Sequence, residues 1–171
     1  MTSGSSNPAG ASSTGATPAP TSTPGPGTTT GPATTPRMTG PVPVPQPESD
    51  RYWEGLRRSE IWLRRCEDCK KAYFYPRDIC PNCGSARTQW FRASGRGVIH
   101  TYTIVHRAPH PGFADRVPYV AAIVELAEGP RIPTNIVGVD PEPSKIKIGA
   151  AVTPVFEKLT DTITLLKFKP S

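Results

Sequence analysis

The sequence predicts a mostly β protein: an N-terminal helix and a rubredoxin-like zinc ribbon, followed by a five-stranded OB-fold barrel. Three observations predict it. Four cysteines stand as Cys66-Glu-Asp-Cys69 and Cys80-Pro-Asn-Cys83, and they are the only cysteines in 171 residues. Downstream of Gly95-Arg-Gly97, five runs rich in β-branched and aromatic residues are separated by Gly/Pro turns, with a break after the third. That pattern fits a small closed Greek-key barrel, with an SH3-like barrel as the alternative. Just upstream of the cysteines, Tyr52, Trp53, Leu56 and Ile61 recur at helical spacing.

Residues 1–47 read as a disordered tail. Residues 1–50 hold eleven of the 22 prolines and no aromatic residue, so this segment cannot bury enough apolar surface to offset chain entropy. It lacks the basic start and apolar run of a secretory signal. Met38-Thr-Gly-Pro is a second candidate start, which makes residues 1–37 either an upstream extension or a tail or linker. Pro41–Pro47 should be extended polyproline II.

Residues 48–63 read as the N-terminal helical segment, with Ser49 as N-cap and Asp50 in the first turn. Gly55 weakens that helix. Its aromatic face, Tyr52 and Trp53 with Leu56, either packs on the protein's own ribbon or docks on a partner.

Residues 64–94 form the ribbon. Two residues separate the cysteines of each pair and ten separate the pairs. Each C-x-x-C turn supplies two sulfurs, and a hairpin brings Cys66, Cys69, Cys80 and Cys83 to one tetrahedral site. Zinc is the expected metal. Iron, two disulfides or redox-active dithiols are the alternatives. Gly84 follows the second turn, where left-handed backbone is often needed. Lys71–Tyr75 and Thr88–Phe91 read as strands.

Residues 95–171 form the barrel, with strands Gly97–His106, Tyr119–Ala127, Ile132–Val139, Ala151–Lys158 and Thr162–Phe168. The first alternates, placing Val98, His100, Tyr102, Ile104 and His106 on one face and Ile99, Thr101, Thr103 and Val105 on the other. Pro133 makes the third strand an edge or a bulge. His100, His106 and His110 are either bases or ligands, or ordinary hydrogen-bonded residues.

Arg37, Glu48 and Asp50 are the only charges in the first 50 residues, so residues 51–171 carry a net +7. No run approaches the ~20 apolar residues of a membrane span. Four cysteines in metal spacing without a signal suggest a reducing cytoplasm.

The order of these motifs resembles a known family. The matching residues are Pro43–Pro47, Tyr52-Trp53-Glu-Gly55, the two cysteine pairs, Phe74-Tyr-Pro-Arg77, Gly95-x-Gly97, Pro118-Tyr119, Leu126-x-Glu-Gly129, Ile148-Gly149, Val152 and Phe168-Lys-Pro170. They resemble the zinc-ribbon/OB-fold, acyl-CoA-associated family, domain of unknown function thirty-five, over residues 41–170. Tyr75 departs from the family, standing before Pro76 where a proline is common.

The resemblance implies a non-catalytic subunit that binds acyl-CoA and partners a thiolase-like enzyme making or breaking C–C bonds. In such complexes the enzyme subunit holds the catalytic cysteine and histidine. Arg64, Arg65, Phe113 and Arg116 are the candidates to face CoA, and Tyr52, Trp53 and Leu56 the candidates to dock the partner. With the net positive charge, a single-stranded nucleic-acid-binding OB-fold protein is the alternative. Against it, the second and third barrel strands carry Tyr119 as their one aromatic. A lone metalloprotein or electron carrier is the third reading.

Overall fold

The computed structural model describes residues 40–171. Residues 1–39, and with them most of the expected disordered tail and the Met38 start, lie outside the described residues.

A 3-10 turn, Pro47–Ser49, leads into helix α1, Asp50–Arg57. The Ser49 hydroxyl donates to the Gln46 carbonyl at 2.8 Å and accepts from the Gln46 N–H at 3.2 Å. Ser49 is the N-cap residue of α1 with Asp50 in the first turn, as expected, but its hydroxyl closes the preceding turn and makes no cap hydrogen bond to α1. Tyr52, Gly55 and Leu56 form the buried face. Gly55 has a reason to be there. A Cβ at that position would stand 2.5 Å from the Trp62 ring and 3.0 Å from the Glu60 carbonyl oxygen. The residue that weakens the isolated helix is what lets it lie against the ribbon.

The ribbon is a three-stranded antiparallel sheet in the order β2-β1-β3, with β1 Ile61–Cys66, β2 Ala72–Tyr73 and β3 Thr88–Ala93. The strand expected over Lys71–Tyr75 is only two residues long, because the chain bends at Phe74 to bring two aromatic rings against Tyr52.

The barrel closes in the order β4-β5-β6-β8-β7, with β4 Gly97–Val105, β5 Tyr119–Leu126, β6 Arg131–Ile136, β7 Ala151–Lys158 and β8 Thr164–Pro170. A 3-10 helix, Pro111–Arg116, bridges β4 and β5. A bulge between Ile99 and Thr101 shifts the register of β4 against β5. The extra residue flips the alternation. Ile99 lies in the core, and Tyr102 and Ile104 pack against that same core. The uninterrupted alternation read from the sequence is corrected accordingly.

β5 alternates without a break: Val120, Ala122, Val124 and Leu126 point into the barrel, and Tyr119, Ala121 and Ile123 point out. β6 and β8 meet at one parallel register, Ile136 with Phe168. The Thr134 hydroxyl, donating to the Leu166 carbonyl at 2.9 Å, adds one side-chain clasp. Helix, ribbon and barrel share one core: Tyr52, Leu56, Ile61 and Leu63 cluster with Ile99, Val120, Val124, Ile132 and Phe168. The ribbon tip keeps a separate small cluster of Cys66, Tyr73 and Cys80.

Candidate functional site

The cysteine turns are built alike. The N–H of Cys66 donates to the Lys71 carbonyl at 3.0 Å, and the N–H of Cys80 donates to the Ser85 carbonyl at 2.9 Å. Asp68 N–H points at Cys66 Sγ and Asn82 N–H at Cys80 Sγ, each at 3.4 Å. The residue after each pair is left-handed, Lys70 at φ 61° and Gly84 at φ 73°. Gly84 is the easier case, since only glycine takes that conformation without a Cβ penalty.

The four Sγ atoms lie within 4.8 Å of one another, with Cys66–Cys83 at 3.6 Å and Cys69–Cys80 at 3.7 Å. A tetrahedron of sulfurs around zinc at ~2.3 Å has edges of about 3.8 Å, so the donor set fits the metal. The short S···S contacts of 3.6 and 3.7 Å are far from the ~2.05 Å of a disulfide. Without metal the thiols pull one another apart. Burial pushes Cys80 up, but the N–H groups of Asn82 and Cys83, with the neighbouring thiols, outweigh it and bring it down to about 6. Cys83 goes up to about 11: the Ser85 N–H lowers it, but contact with Cys66, burial and the other two thiols win. A bound cation removes this conflict, because coordinating thiols are deprotonated outright. With four thiolate ligands such a site is closed to water and substrate, and its contribution is structural.

A cleft of about 540 Å³ lies against the outer face of the barrel, under the 3-10 helix. Phe113 and Arg116 form its roof, and Tyr119, Ala121, Asn135, Glu157 and Lys167 are among the residues of its floor and walls. The Arg116 guanidinium sits 5.6 Å from the centre of the Phe113 ring. Lys167 is only 13% exposed and reaches Glu157 at 2.5 Å. A second cleft of about 240 Å³ adjoins the first, sharing Asn135 and Lys167. It lies between α1, the ribbon and the barrel, and Trp53, Phe74, Tyr75 and Leu165 line it. Trp53 Nε1 donates to the Tyr75 hydroxyl at 2.8 Å.

The residues singled out from the sequence are divided by the fold. Phe113 and Arg116 meet in the larger cleft. Arg64 and Arg65 line neither cleft. Arg64 donates to Asp78 and to Thr88, with its guanidinium over Trp90, and Arg65 stacks over Phe91. Tyr52 and Leu56 are buried within this chain, and Trp53 is the member of that trio with exposed surface. His110 accepts the Gly112 N–H at 3.0 Å on Nδ1 and so caps the 3-10 helix. His100 stands at the bulge, 3.5 Å from Glu125, in neither cleft.

Asn135, Glu157 and Lys167 escaped the sequence reading. Their outward register was legible from strand alternation, but the 3-10 helix and α1 that cover them come from distant parts of the chain.

Two family models match consecutive stretches: the ChsH2 rubredoxin-like zinc ribbon domain over residues 53–89 and the ChsH2 C-terminal OB-fold domain over residues 90–157. A DUF35 domain-containing scaffold protein of Methanocaldococcus jannaschii is 41% identical over 129 residues, covering 70% of this chain and 89% of that protein. The chain belongs to the DUF35 family. A second relative, a probable enoyl-CoA hydratase alpha subunit of Thermomonospora curvata, is 35% identical over 136 residues. The match takes in 80% of this DUF35 chain but 41% of that protein, so the chain spans about two-fifths of its length. Among solved structures, an Ltp2-ChsH2(DUF35) aldolase chain is matched at 35% identity with a TM-score of 0.65, covering 75% of this chain and 98% of that one. Among the described residues, no helix is long and apolar enough to cross a membrane.

Proposed function

We propose that this DUF35 protein is a scaffold subunit, inactive alone, that holds an acyl-CoA for a thiolase-like enzyme making or breaking a C–C bond in the thioester. The observation that carries the reading is the larger cleft. Its barrel face combines Tyr119, Ala121 and Ile136 with Asn135, Glu157 and Lys167, Arg116 edges it, and no thiol lines it. The four cysteines are brought together as a metal site, so none is free for acyl transfer. The names of the relatives, a scaffold protein, a hydratase subunit and an aldolase, support the same class.

In this proposal Arg116 and Phe113 receive the nucleotide end of CoA, a guanidinium for phosphate and a ring for the base. Arg64 and Arg65 add positive field from the ribbon side. The exposed edge of Trp53 takes part in docking the enzyme, which supplies the cysteine and the acid–base pair. A reducing compartment such as the cytoplasm suits four thiolate ligands.

The test mixes the purified chain with the thiolase-like protein that co-purifies with it and follows condensation or cleavage of a CoA thioester. Activity should require both. Full activity from the enzyme alone, unchanged by this chain, sinks the proposal, and so does turnover by this chain alone.

A further inference from the structure

The two clefts share Asn135 and Lys167, so the space under the 3-10 helix and the space beside α1 adjoin at these two residues on β6 and β8. The two ends differ in chemistry. Arg116 and Phe113 edge the first. The second is walled by Trp53, Phe74, Tyr75 and Leu165.

At the junction stand one strong donor and one acceptor. Lys167 is only 13% exposed, and its ammonium is held by Glu157. An ammonium has three N–H donors, and Glu157 takes one of them. The Asn135 side chain donates one Nδ2 hydrogen to the Val120 carbonyl at 3.1 Å, which anchors the amide, and its Oδ1 is an acceptor. A largely covered lysine is costly to desolvate, and the Glu157 contact offsets that cost without using the remaining donors.

A secondary amide carries one N–H and one C=O, and it is neutral. It fits a donor–acceptor pair better than a phosphate does, since a phosphate would meet the Glu157 carboxylate. We infer that Lys167 and Asn135 grip an amide of the pantetheine arm, with Lys167 donating to the carbonyl and Asn135 Oδ1 accepting from the N–H. The inference rests on the acyl-CoA reading above and deepens it. The nucleotide end lies at Arg116, the arm crosses the junction, and the thioester end lies beside Trp53 and Tyr75, at the side proposed to face the enzyme. Lys167 and Asn135 are then binding residues that set the depth of the arm, and Glu157 is a positioning residue that aims the ammonium.

The experiment is calorimetric titration of the full chain, and of its complex with the co-purifying enzyme. The probes are CoA, S-methyl-pantetheine and adenosine 3′,5′-bisphosphate. Lys167→Met and Asn135→Ala should each weaken CoA and S-methyl-pantetheine roughly 10- to 100-fold, as expected for lost hydrogen bonds to a buried polar group. They should leave the bisphosphate within about two-fold, a limit small beside the ten-fold that 1.4 kcal/mol represents. Arg116→Met should weaken CoA and the bisphosphate and leave S-methyl-pantetheine within about two-fold. S-methyl-pantetheine is uncharged, so its affinity should not fall with salt, whereas that of the bisphosphate should.

Thermal melts check that each variant is folded, and Glu157→Gln, which keeps the shape of the pair, gives a second reading if Lys167→Met unfolds. Unchanged CoA affinity in both folded junction variants overturns the amide grip while leaving the acyl-CoA reading intact. An equal loss of bisphosphate binding also overturns it, because Lys167 would then be reading phosphate. Failure of the wild-type chain and complex to bind CoA overturns both.

Discussion

Gly55→Ala should destabilise this protein, although the same change in an exposed helix stabilises. The helix-propensity gain is about 1 kcal/mol. Against it stands overpacking, which costs about 1–3 kcal/mol. The added methyl would lie 2.5 Å from the Trp62 ring and 3.0 Å from the Glu60 carbonyl oxygen. Neither neighbour yields easily. The carbonyl is backbone, and the indole is held by Glu60 at its Nε1 and by the Arg51 guanidinium stacked 4.0 Å from the ring centre. The cost therefore belongs in the upper half of its range, and the net loss should be about 1–2 kcal/mol. For a domain of this size that lowers the melting temperature by roughly 3–8 °C. Circular dichroism melts of the zinc-loaded protein measure it. Gly55→Ala combined with Trp62→Ala should recover at least about 1 kcal/mol relative to additivity, since the contact is then gone. A Gly55→Ala protein as stable as wild type, or more so, refutes the reasoning.

Elemental analysis should give about one zinc per chain; Cys69→Ser should lose it and become cleavable by protease within residues 67–87, because metal binding is coupled to local folding, and a red protein with iron–thiolate absorbance would overturn zinc. Burial first, and then Tyr75, hold the Tyr52 hydroxyl pKa well above its usual value of 10.0. The folded state keeps that proton where the unfolded chain releases it, so stability is intact below pH ~10 and falls by up to about 1.4 kcal/mol per pH unit above it. Tyr52→Phe should flatten this alkaline slope in melts between pH 8 and 11, and identical slopes would remove Tyr52 as its cause. Single-stranded oligonucleotides should bind weakly and fade steeply with salt; submicromolar, salt-resistant binding would favour the nucleic-acid reading instead.

The metal site was legible because its geometry is local: two turns of fixed spacing dictate where four sulfurs go. The barrel strands were legible for a similar reason, since alternation is a local property. What failed was long-range. The Ile99–Thr101 bulge answers to strand pairing with β5, so His100 and Tyr102 could not be given faces from their own neighbours. Ser49 is the N-cap residue as read, but the sequence could not show that its hydroxyl turns back to Gln46 and makes no cap hydrogen bond. Gly55 looked like a flaw until Trp62 was seen against it. Lys167 looked like any surface lysine at the end of a strand, and only the chain ends of α1 and the 3-10 helix, folded over β8, put it under cover.

The join between β6 and β8 has a consequence for how this protein keeps its own company. With one register of pairing there, much of β6 presents a raw strand edge, the usual template on which one molecule recruits a strand from the next. The Leu126 N–H bonded to the Pro130 carbonyl sets the phase of the β5–β6 ladder, and counting from it, the nitrogen of Pro133 points away from β5 and toward that edge. A proline nitrogen carries no hydrogen, so the edge lacks a donor at its midpoint. Thr134 spends its hydroxyl on Leu166 beside it. The gap that makes room for a groove is thus left open without β6 offering a neighbouring molecule an unbroken row of donors.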